Sequence, residues 1–311
     1  MVSLRATARV LLVLALFGFA AGTAYAYTPP PDRWPVPPKP KPSPSPAPKR
    51  IFPIIGAVEF SNDFGAPRAQ GSHQGIDILA PRRALAVAAE AGRVRFYAGS
   101  SRGGCMLYLD GKSGTQYLYI HLNNDLTDAN DNRGGCKLGV AFPLGLKSGA
   151  RVAAGQPIGY VGDSGDANGI HPHLHFEVHP NGGRAVNPYR FLLSAQRMLF
   201  YAPRGSEFTL RLSATVFSAT DTSIRVRVNT LTMTTPTSSL VLRRLGRPLT
   251  LTVPDYASIE RGPAGQTASL TSAQRGERVV VWTELATATP DAQAGKAGVI
   301  NAERVVLPTS R

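Results

Sequence analysis

Cysteine is scarce in this sequence: only Cys105 and Cys136 occur among 311 residues. Neither has a second cysteine or a histidine at ligand spacing, so structural zinc sites built on closely spaced cysteine pairs are excluded. Acidic residues are also few, with 20 Asp and Glu against 34 Lys and Arg, and the net charge is +14. A chain of this charge is attracted over long distances to anionic polymers.

Long apolar runs are almost absent as well. The one sustained run, residues 10–21, is too short to span a bilayer comfortably. It follows Arg5 and Arg9 and precedes Ala24–Tyr25–Ala26, which has the small-residue pattern of a cleavage site. This order predicts a secretory signal peptide over residues 1–26, with an uncleaved N-terminal anchor as the alternative. We therefore expect a secreted protein, extracellular or in the cell wall or periplasm, without stable membrane insertion after cleavage.

The two cysteines are consistent with export. Each ends an Arg-Gly-Gly-Cys tetrapeptide, at residues 102–105 and 133–136. In an oxidising compartment an isolated pair of this kind predicts a disulfide, and two unpaired thiols in loops are the alternative.

The positive charge is spread along the chain and not gathered into one patch of the sequence. No basic stripe alternates with aromatic residues, so we expect no nucleic-acid partner. For an exported protein, anionic cell-wall polymers are the better expected partners.

Composition divides the chain into regions. Residues 27–50 are rich in proline, mixed with Ser, Lys and Arg, which predicts an extended basic linker without a core. Residues 51–199 contain short apolar segments separated by Gly, Asn, Asp and Pro, with little helical periodicity. Residues 200–311 show a similar strand pattern and no catalytic constellation.

The predicted fold class is therefore all-β. We expect an antiparallel sandwich or partial barrel over residues 51–199. A small β-barrel-like domain, for which an OB-like barrel is one candidate, follows over residues 200–311. In the first region the predicted strands are residues 93–97, 106–109, 116–120, 157–161 and 173–179. In the second they are residues 209–216, 223–229, 249–253, 278–284 and 301–307.

The most informative segment is residues 172–177, Pro-His-Leu-His-Phe-Glu. In an extended strand His173 and His175 point to the same face, while Leu174 and Phe176 point to the other. About a hundred residues upstream, His73 and Asp77 form a His-x-x-x-Asp pair. Two of these imidazoles and the Asp77 carboxylate would bind a zinc ion and leave its fourth coordination position open. An open position is typical of a catalytic zinc site and not of a structural one.

Four motifs in order make the pattern specific. They are Gly-Ser-His-Gln-Gly-Ile-Asp-Ile-Leu-Ala-Pro at residues 71–81, Tyr-Ile-His-Leu at 119–122, Gly-Gln-Pro-Ile-Gly-Tyr-Val-Gly at 155–162 and the His-x-His segment, with Asn187–Pro188 closing the pattern. Over residues 52–193 the chain thereby resembles the LytM/lysostaphin-like zinc metallopeptidases, which cut peptide bonds in bacterial peptidoglycan.

The resemblance implies a role for each histidine of these motifs. It implies that His73, Asp77 and His175 bind Zn²⁺ and that His121 and His173 are the unliganded catalytic histidines. The chain has no His-Glu-x-x-His sequence, so proton transfer falls to these two imidazoles, and which of them is the base stays open. Glu177 shares the strand face of His175, where a hydrogen bond to that ligand and a purely structural role are both possible.

The implied function is a secreted zinc metalloendopeptidase acting on peptidoglycan peptides. The alternative is a catalytically silent cell-wall-binding protein that activates a wall hydrolase. All five site positions are filled, which favours the enzyme.

One further segment looks like a cation site at first. Residues 123–132 are rich in Asn and Asp, but counted from Asp128 the sixth and twelfth positions are Arg133 and Gly139, where an EF-hand needs Gly and Glu. We interpret this segment as a turn system that could line the substrate groove.

Overall fold

The computed structural model describes residues 50–309 except Gln70 and Pro263. The expected signal peptide over residues 1–26, and the expected linker over 27–50 apart from Arg50, lie outside the described residues. No described helix is long and apolar enough to cross a membrane.

Strands dominate the described part of the chain, so the expected all-β class is confirmed. In the first region the strands are β1 (Ile54–Ile55), β2 (Pro67–Arg68), β3 (Gly71–Ser72), β4 (Ile76–Leu79), β5 (Leu85–Val87), β6 (Gly92–Ser100), β7 (Gly104–Gly111), β8 (Gln116–Leu122), β9 (Arg151–Val152), β10 (Pro157–Tyr160) and β11 (His173–His179). In the second they are β12 (Glu207–Ala219), β13 (Ser223–Thr235), β14 (Ser238–Thr252), β15 (Ser258–Arg261), β16 (Gln266–Thr267), β17 (Arg278–Thr283), β18 (Ala286–Thr287) and β19 (Ala302–Leu307). The helices are α1 (Tyr189–Ser194) and α2 (Pro290–Ala294), with 3₁₀ turns at Gly165–Ala167, Pro180–Gly182 and Leu270–Ser272.

A six-stranded antiparallel sheet positions the predicted site. Its order is β4-β11-β8-β7-β6-β9, which places β11 between β4 and β8. The inward residues of β11, Leu174 and Phe176, are fully buried. Phe176 packs against Tyr117, Tyr119 and Phe191, so the rear of this strand is held by aromatic side chains. A three-stranded sheet, β1-β5-β10, lies in the same region.

The second region forms an eight-stranded sheet. Its main path runs β14-β13-β12-β17-β19-β15-β16, and β18 pairs with one end of β12. A single parallel bridge between Thr252 and Asn301 brings the end of β14 beside the start of β19. Five strands therefore curl towards closure, but among the described residues one bridge takes the place of the continuous ladder that the expected barrel would need.

The two regions share apolar packing. Ile51, Ile55, Leu85 and Val87 belong to the same buried cluster as Phe200 and the inward residues of β12, β13 and β17. A second buried cluster fills the first region alone. The first region is therefore in direct contact with the core of the second.

The expected disulfide is confirmed: Cys105 and Cys136 are bonded, with Cα atoms 5.2 Å apart. The bond ties the start of β7 to the loop that follows the Asn- and Asp-rich segment.

That segment is a hydrogen-bonded turn system. Asp131 accepts bonds from the backbone N–H groups of Leu126, Thr127 and Arg133. Residues 123–150 are not among the described residues that line the predicted groove, contrary to our expectation. Instead Asn130 and Asn132 contact Asn168, and so support the loop that does line it.

Candidate active site

Strand register brings the distant motifs together. On β11, His175 lies directly opposite Asp77 of β4, so the two side chains share one face of the sheet. His73 precedes β4 and reaches the same point because the chain passes very close to β11 at Gly75. A Cβ atom there would lie 2.6 Å from the carbonyl oxygen of Phe176 and 2.8 Å from Nε2 of His175. Only glycine permits this approach.

Three potential ligand atoms converge. Nε2 of His73 lies 2.8 Å from Nδ1 of His175 and 3.1 Å from Oδ1 of Asp77, and Nδ1 of His175 lies 2.9 Å from the same oxygen. These three residues form the one group of three or more His, Cys, Asp or Glu able to hold a metal ion within the described part of the chain. His73 and His175 are buried, and Asp77 is partly buried.

The outer hydrogen bonds of His73 and His175 determine which ring nitrogens face each other. Nδ1 of His73 lies 3.0 Å from the carbonyl oxygen of Asp63, which can only accept. Nε2 of His175 lies 3.0 Å from Oε1 of Glu177. If each outer nitrogen carries its proton, both inner nitrogens and the Asp77 oxygen present lone pairs to one another. Such a group is stable only around a cation, so the donor set fits a metal ion.

A proton on Nδ1 of His175, shared with Asp77, is one cation that this group of atoms can hold. Burial disfavours a charged His175, but its hydrogen bonds to Asp77 and Glu177 outweigh burial and raise its pKa to about 9. Burial likewise acts to raise the pKa of Asp77, yet the hydrogen bonds with His175 and His73 hold it well below its usual range. This part of the cleft therefore attracts positive charge.

The two predicted catalytic histidines share a different arrangement. Nδ1 of His121 lies 2.8 Å from the carbonyl oxygen of Ser164, and Nδ1 of His173 lies 3.0 Å from that of His171. A carbonyl only accepts, so Nδ1 of each ring carries a proton, and in the neutral form of either ring Nε2 is the acceptor. Burial lowers the pKa of His121 to about 4, although the Ser164 contact acts in the opposite direction. His121 is consequently neutral at pH 7.

His121 reaches the site through an irregular backbone. Its neighbour Ile120 lies opposite His175, so in a regular strand His121 would point into the core. A register irregularity between β7 and β8 and a φ of +61° at His121 turn the ring so that its centroid lies 5.0 Å from that of His173. A positive φ at a residue other than glycine costs about 1–2 kcal/mol. The backbone strain thus occurs at a residue, His121, whose side chain lines the cleft.

The five residues line one cleft of about 360 Å³. The lining also includes the apolar side chains of Met106, Ile120 and Ile170. Sequence reasoning missed Arg68, which approaches the second Asp77 oxygen at 2.8 Å from the β2–β3 hairpin. No motif singled out Arg68, because its contact depends on the pairing of β2 with β3.

The comparisons with known proteins agree with the motifs. Residues 139–188 match the sequence model of peptidase family M23. This match confirms the resemblance to the LytM/lysostaphin-like peptidases, and its segment contains His173 and His175. A search among curated proteins found no match.

Several solved structures are similar over part of the chain. The catalytic domain of lysostaphin from Staphylococcus simulans is 25% identical over 44% of this chain and 93% of its own, with a TM-score of 0.35. The prophage-encoded M23 protein EnpA from Enterococcus faecalis is 26% identical over 45% of this chain and 95% of its own, with a TM-score of 0.34. A Pseudomonas aeruginosa protein described as a peptidase M23 is 23% identical over 46% of this chain, with a TM-score of 0.33, and this chain spans half of its length.

Proposed function

We propose that this protein is a secreted, zinc-dependent endopeptidase that hydrolyses peptide bonds in bacterial peptidoglycan. The observation that carries the proposal is the convergence of His73, Asp77 and His175 beside two further histidines in one cleft. The M23 match over residues 139–188 supports the reaction class.

The proposed zinc ligands are Nε2 of His73, Nδ1 of His175 and a carboxylate oxygen of Asp77. When bound there, zinc would act as a Lewis acid toward the scissile carbonyl group and lower the pKa of a water molecule. Glu177 holds the ring of His175 so that Nδ1 faces the other two ligands. Arg68 occupies the second oxygen of Asp77 and leaves the first directed at the histidines.

His121 and His173 are proposed to move protons. In its neutral form each ring presents an unprotonated Nε2, which can accept a proton from the attacking water. Once protonated, the same nitrogen can donate to the tetrahedral oxyanion or to the leaving amine. Asp166, whose Oδ1 lies 3.8 Å from Nε2 of His121, would stabilise the charged form of that ring. Because Nδ1 is anchored on a carbonyl in both rings, we assign the two roles jointly to the pair.

We also propose that the protein is secreted and that its second region localises it. Secretion would place the protein in an oxidising compartment, which is supported by the disulfide between Cys105 and Cys136. The division at residue 199 would separate a catalytic region from one that localises it.

A zymogram with purified sacculi tests the proposal against its alternative. The purified chain should clear the sacculi, lose this activity with a chelator and regain it with added zinc. His175→Ala should remain inactive under all three conditions. If the wild-type chain binds sacculi without cleaving them, and instead increases cleavage by a separate wall hydrolase, the catalytically silent alternative is correct.

A further inference from the structure

The outward face of the eight-stranded sheet brings together arginines that are far apart in the sequence. Along β12, β13 and β17, buried apolar residues alternate with exposed polar ones, which defines an inner and an outer face. Five exposed arginines lie on or beside the outer face: Arg211, Arg225, Arg227, Arg275 and Arg278. Positive charge that is dispersed in the sequence is thus gathered by strand pairing, and we call these five residues the arginine face.

Register determines how these side chains are spaced. Arg227 of β13 and Arg278 of β17 both lie opposite Thr215 of the central strand β12. Two strand spacings of about 4.8 Å place their Cα atoms about 10 Å apart. Arg225 lies two residues from Arg227 on the same face, a distance of about 7 Å. The charges therefore form an array that extends both along and across the strands.

Two aromatic rings hold three of the five arginines in place. The guanidinium groups of Arg225 and Arg275 lie 4.8 and 4.6 Å from the ring centroid of Phe217. Those of Arg211 and Arg304 lie 5.4 and 5.0 Å from the ring of Trp282. Cation–π contacts of this kind reduce the side-chain freedom that is lost on binding. Because each ring is already in contact with two guanidinium groups, neither is left as a free platform for stacking a base.

The charge of the arginine face is not neutralised internally. Arg304 pairs with Glu260 and nearby Arg261 pairs with Glu277. Within the part of the chain that the structure describes, none of the five arginines has a carboxylate partner. Five exposed cations in so small an area repel one another and are complemented by an array of anions.

We infer that the arginine face binds a phosphodiester polymer of the bacterial cell wall. The guanidinium fork matches phosphate oxygens, and repeated single charges match the spaced array better than one compact anion does. The covered aromatic rings favour a polymer without bases over a nucleic acid. The location of the polymer rests on the proposed wall function, whereas the binding itself does not require catalysis.

Binding of fluorescent poly(glycerol phosphate) to the full chain tests this inference. Affinity would be measured by fluorescence anisotropy at about 50 to 400 mM NaCl, a range over which salt increasingly screens contacts between arginine and phosphate. The wild type is compared with the triple variant Arg225→Gln, Arg227→Gln and Arg278→Gln. The matched control removes three exposed arginines of the first region: Arg151→Gln, Arg184→Gln and Arg190→Gln.

We expect the triple variant to bind at least about tenfold more weakly at low salt. Its log–log salt dependence should fall by about 2, since each phosphate contact contributes about 0.7 in flexible polyanions. The control, which has the same net charge, should stay within about threefold of the wild type. Arg278→Glu alone should weaken binding as well, and it provides a second readout if the triple variant fails to fold.

Three results would overturn the inference. Equal losses in the triple variant and the control would show that only net charge matters. Tighter binding of oligo-dT with the same number of phosphates would indicate a nucleic-acid surface. Binding to phosphatidylglycerol vesicles with none to the polymer would indicate a membrane surface. Hydrolysis of a soluble peptide should be unchanged in the triple variant, so loss of binding and loss of catalysis are separately measurable.

Discussion

The carbonyl oxygen of Ser164 lies 2.8 Å from Nδ1 of His121, and this contact selects which nitrogen of the imidazole remains an acceptor. The preceding residue, Asp163, is fully buried and accepts two hydrogen bonds from Arg82, at 2.6 and 2.8 Å. Arg82 also pairs with buried Asp125, whose other oxygen accepts the backbone N–H groups of Asp131 and Asn132. A buried ion-pair cluster therefore supports the carbonyl that orients His121.

This support predicts the effect of Asp163→Ala. We expect a loss of about 3 kcal/mol in the free energy of unfolding, near the lower end for breaking a buried pair because Arg82 keeps Asp125. Peptide hydrolysis should fall while zinc content stays near that of the wild type. Denaturant unfolding and metal analysis measure the two effects, with exposed Asp128→Ala as the control that should change stability by less than about 0.5 kcal/mol.

The proposed metal ligands and the proposed proton-transfer residues should be distinguishable by mutation. His175→Ala should remove bound zinc, because it deletes one of three converging ligand atoms. His121→Ala and His173→Ala should keep the zinc and lose about 10²–10⁴-fold in turnover. Elemental analysis of the purified variants reports metal per chain, and exposed His171→Ala is the control. Full zinc occupancy in His175→Ala would contradict the ligand assignment.

Glu177 should influence zinc affinity through His175. Its Oε1 atom lies 3.0 Å from Nε2 of that proposed ligand, so Glu177→Gln should weaken the bond that orients the ring. Loss of such a partner typically costs about 10–100-fold in metal affinity. Competition with a chromophoric chelator measures this directly. An affinity equal to that of the wild type would leave Glu177 with a purely structural role in β11.

Much of this site was predictable because strands have a two-residue period. The alternation around His173 and His175 predicted β11 with the bounds that the structure has, His173–His179. The position of His121 depends on a local irregularity and a positive φ, neither of which has a signal in a single sequence. The arginine face could not be predicted either, because Arg227 and Arg278 become neighbours of Thr215 only through strand register.

The long strands of the second region show the same limit. The prediction for residues 223–229 ended six residues before β13 does, at Thr235, and the first part of β14 was missed. Polar residues such as Thr and Ser occupy the outer face of these strands, so the apolar signal weakens although the backbone pairing continues.

The disulfide should contribute to stability. It closes a loop with a sequence separation of 31, for which the chain-entropy model gives about 3–4 kcal/mol. The double variant Cys105→Ser and Cys136→Ser should unfold at correspondingly lower denaturant concentration. Intact-mass analysis of the unreduced wild type after alkylation should show no added groups. Two alkylated thiols in freshly purified protein would contradict the bond.

Truncation at Leu199 tests whether the two regions are independent. Motif positions alone predict that residues 51–199 still cleave a small soluble peptide, because the five site residues precede this point. The shared cluster predicts otherwise: removal of the second region would expose Ile51, Ile55, Leu85 and Val87, which are buried against it. We therefore expect the truncated chain to be strongly destabilised.

A point substitution measures the same coupling without removing a region. Phe200 is fully buried and its ring centroid lies 4.8 Å from that of Phe208. Phe200→Ala should cost about 3–5 kcal/mol and lower the unfolding midpoint of the first region as well as the second. Exposed Leu193→Ala is the control. Hydrogen exchange at β8 and β11 can follow the first region separately. If Phe200→Ala leaves exchange there unchanged and the truncated chain retains full peptidase activity, the two regions fold independently in spite of their shared core.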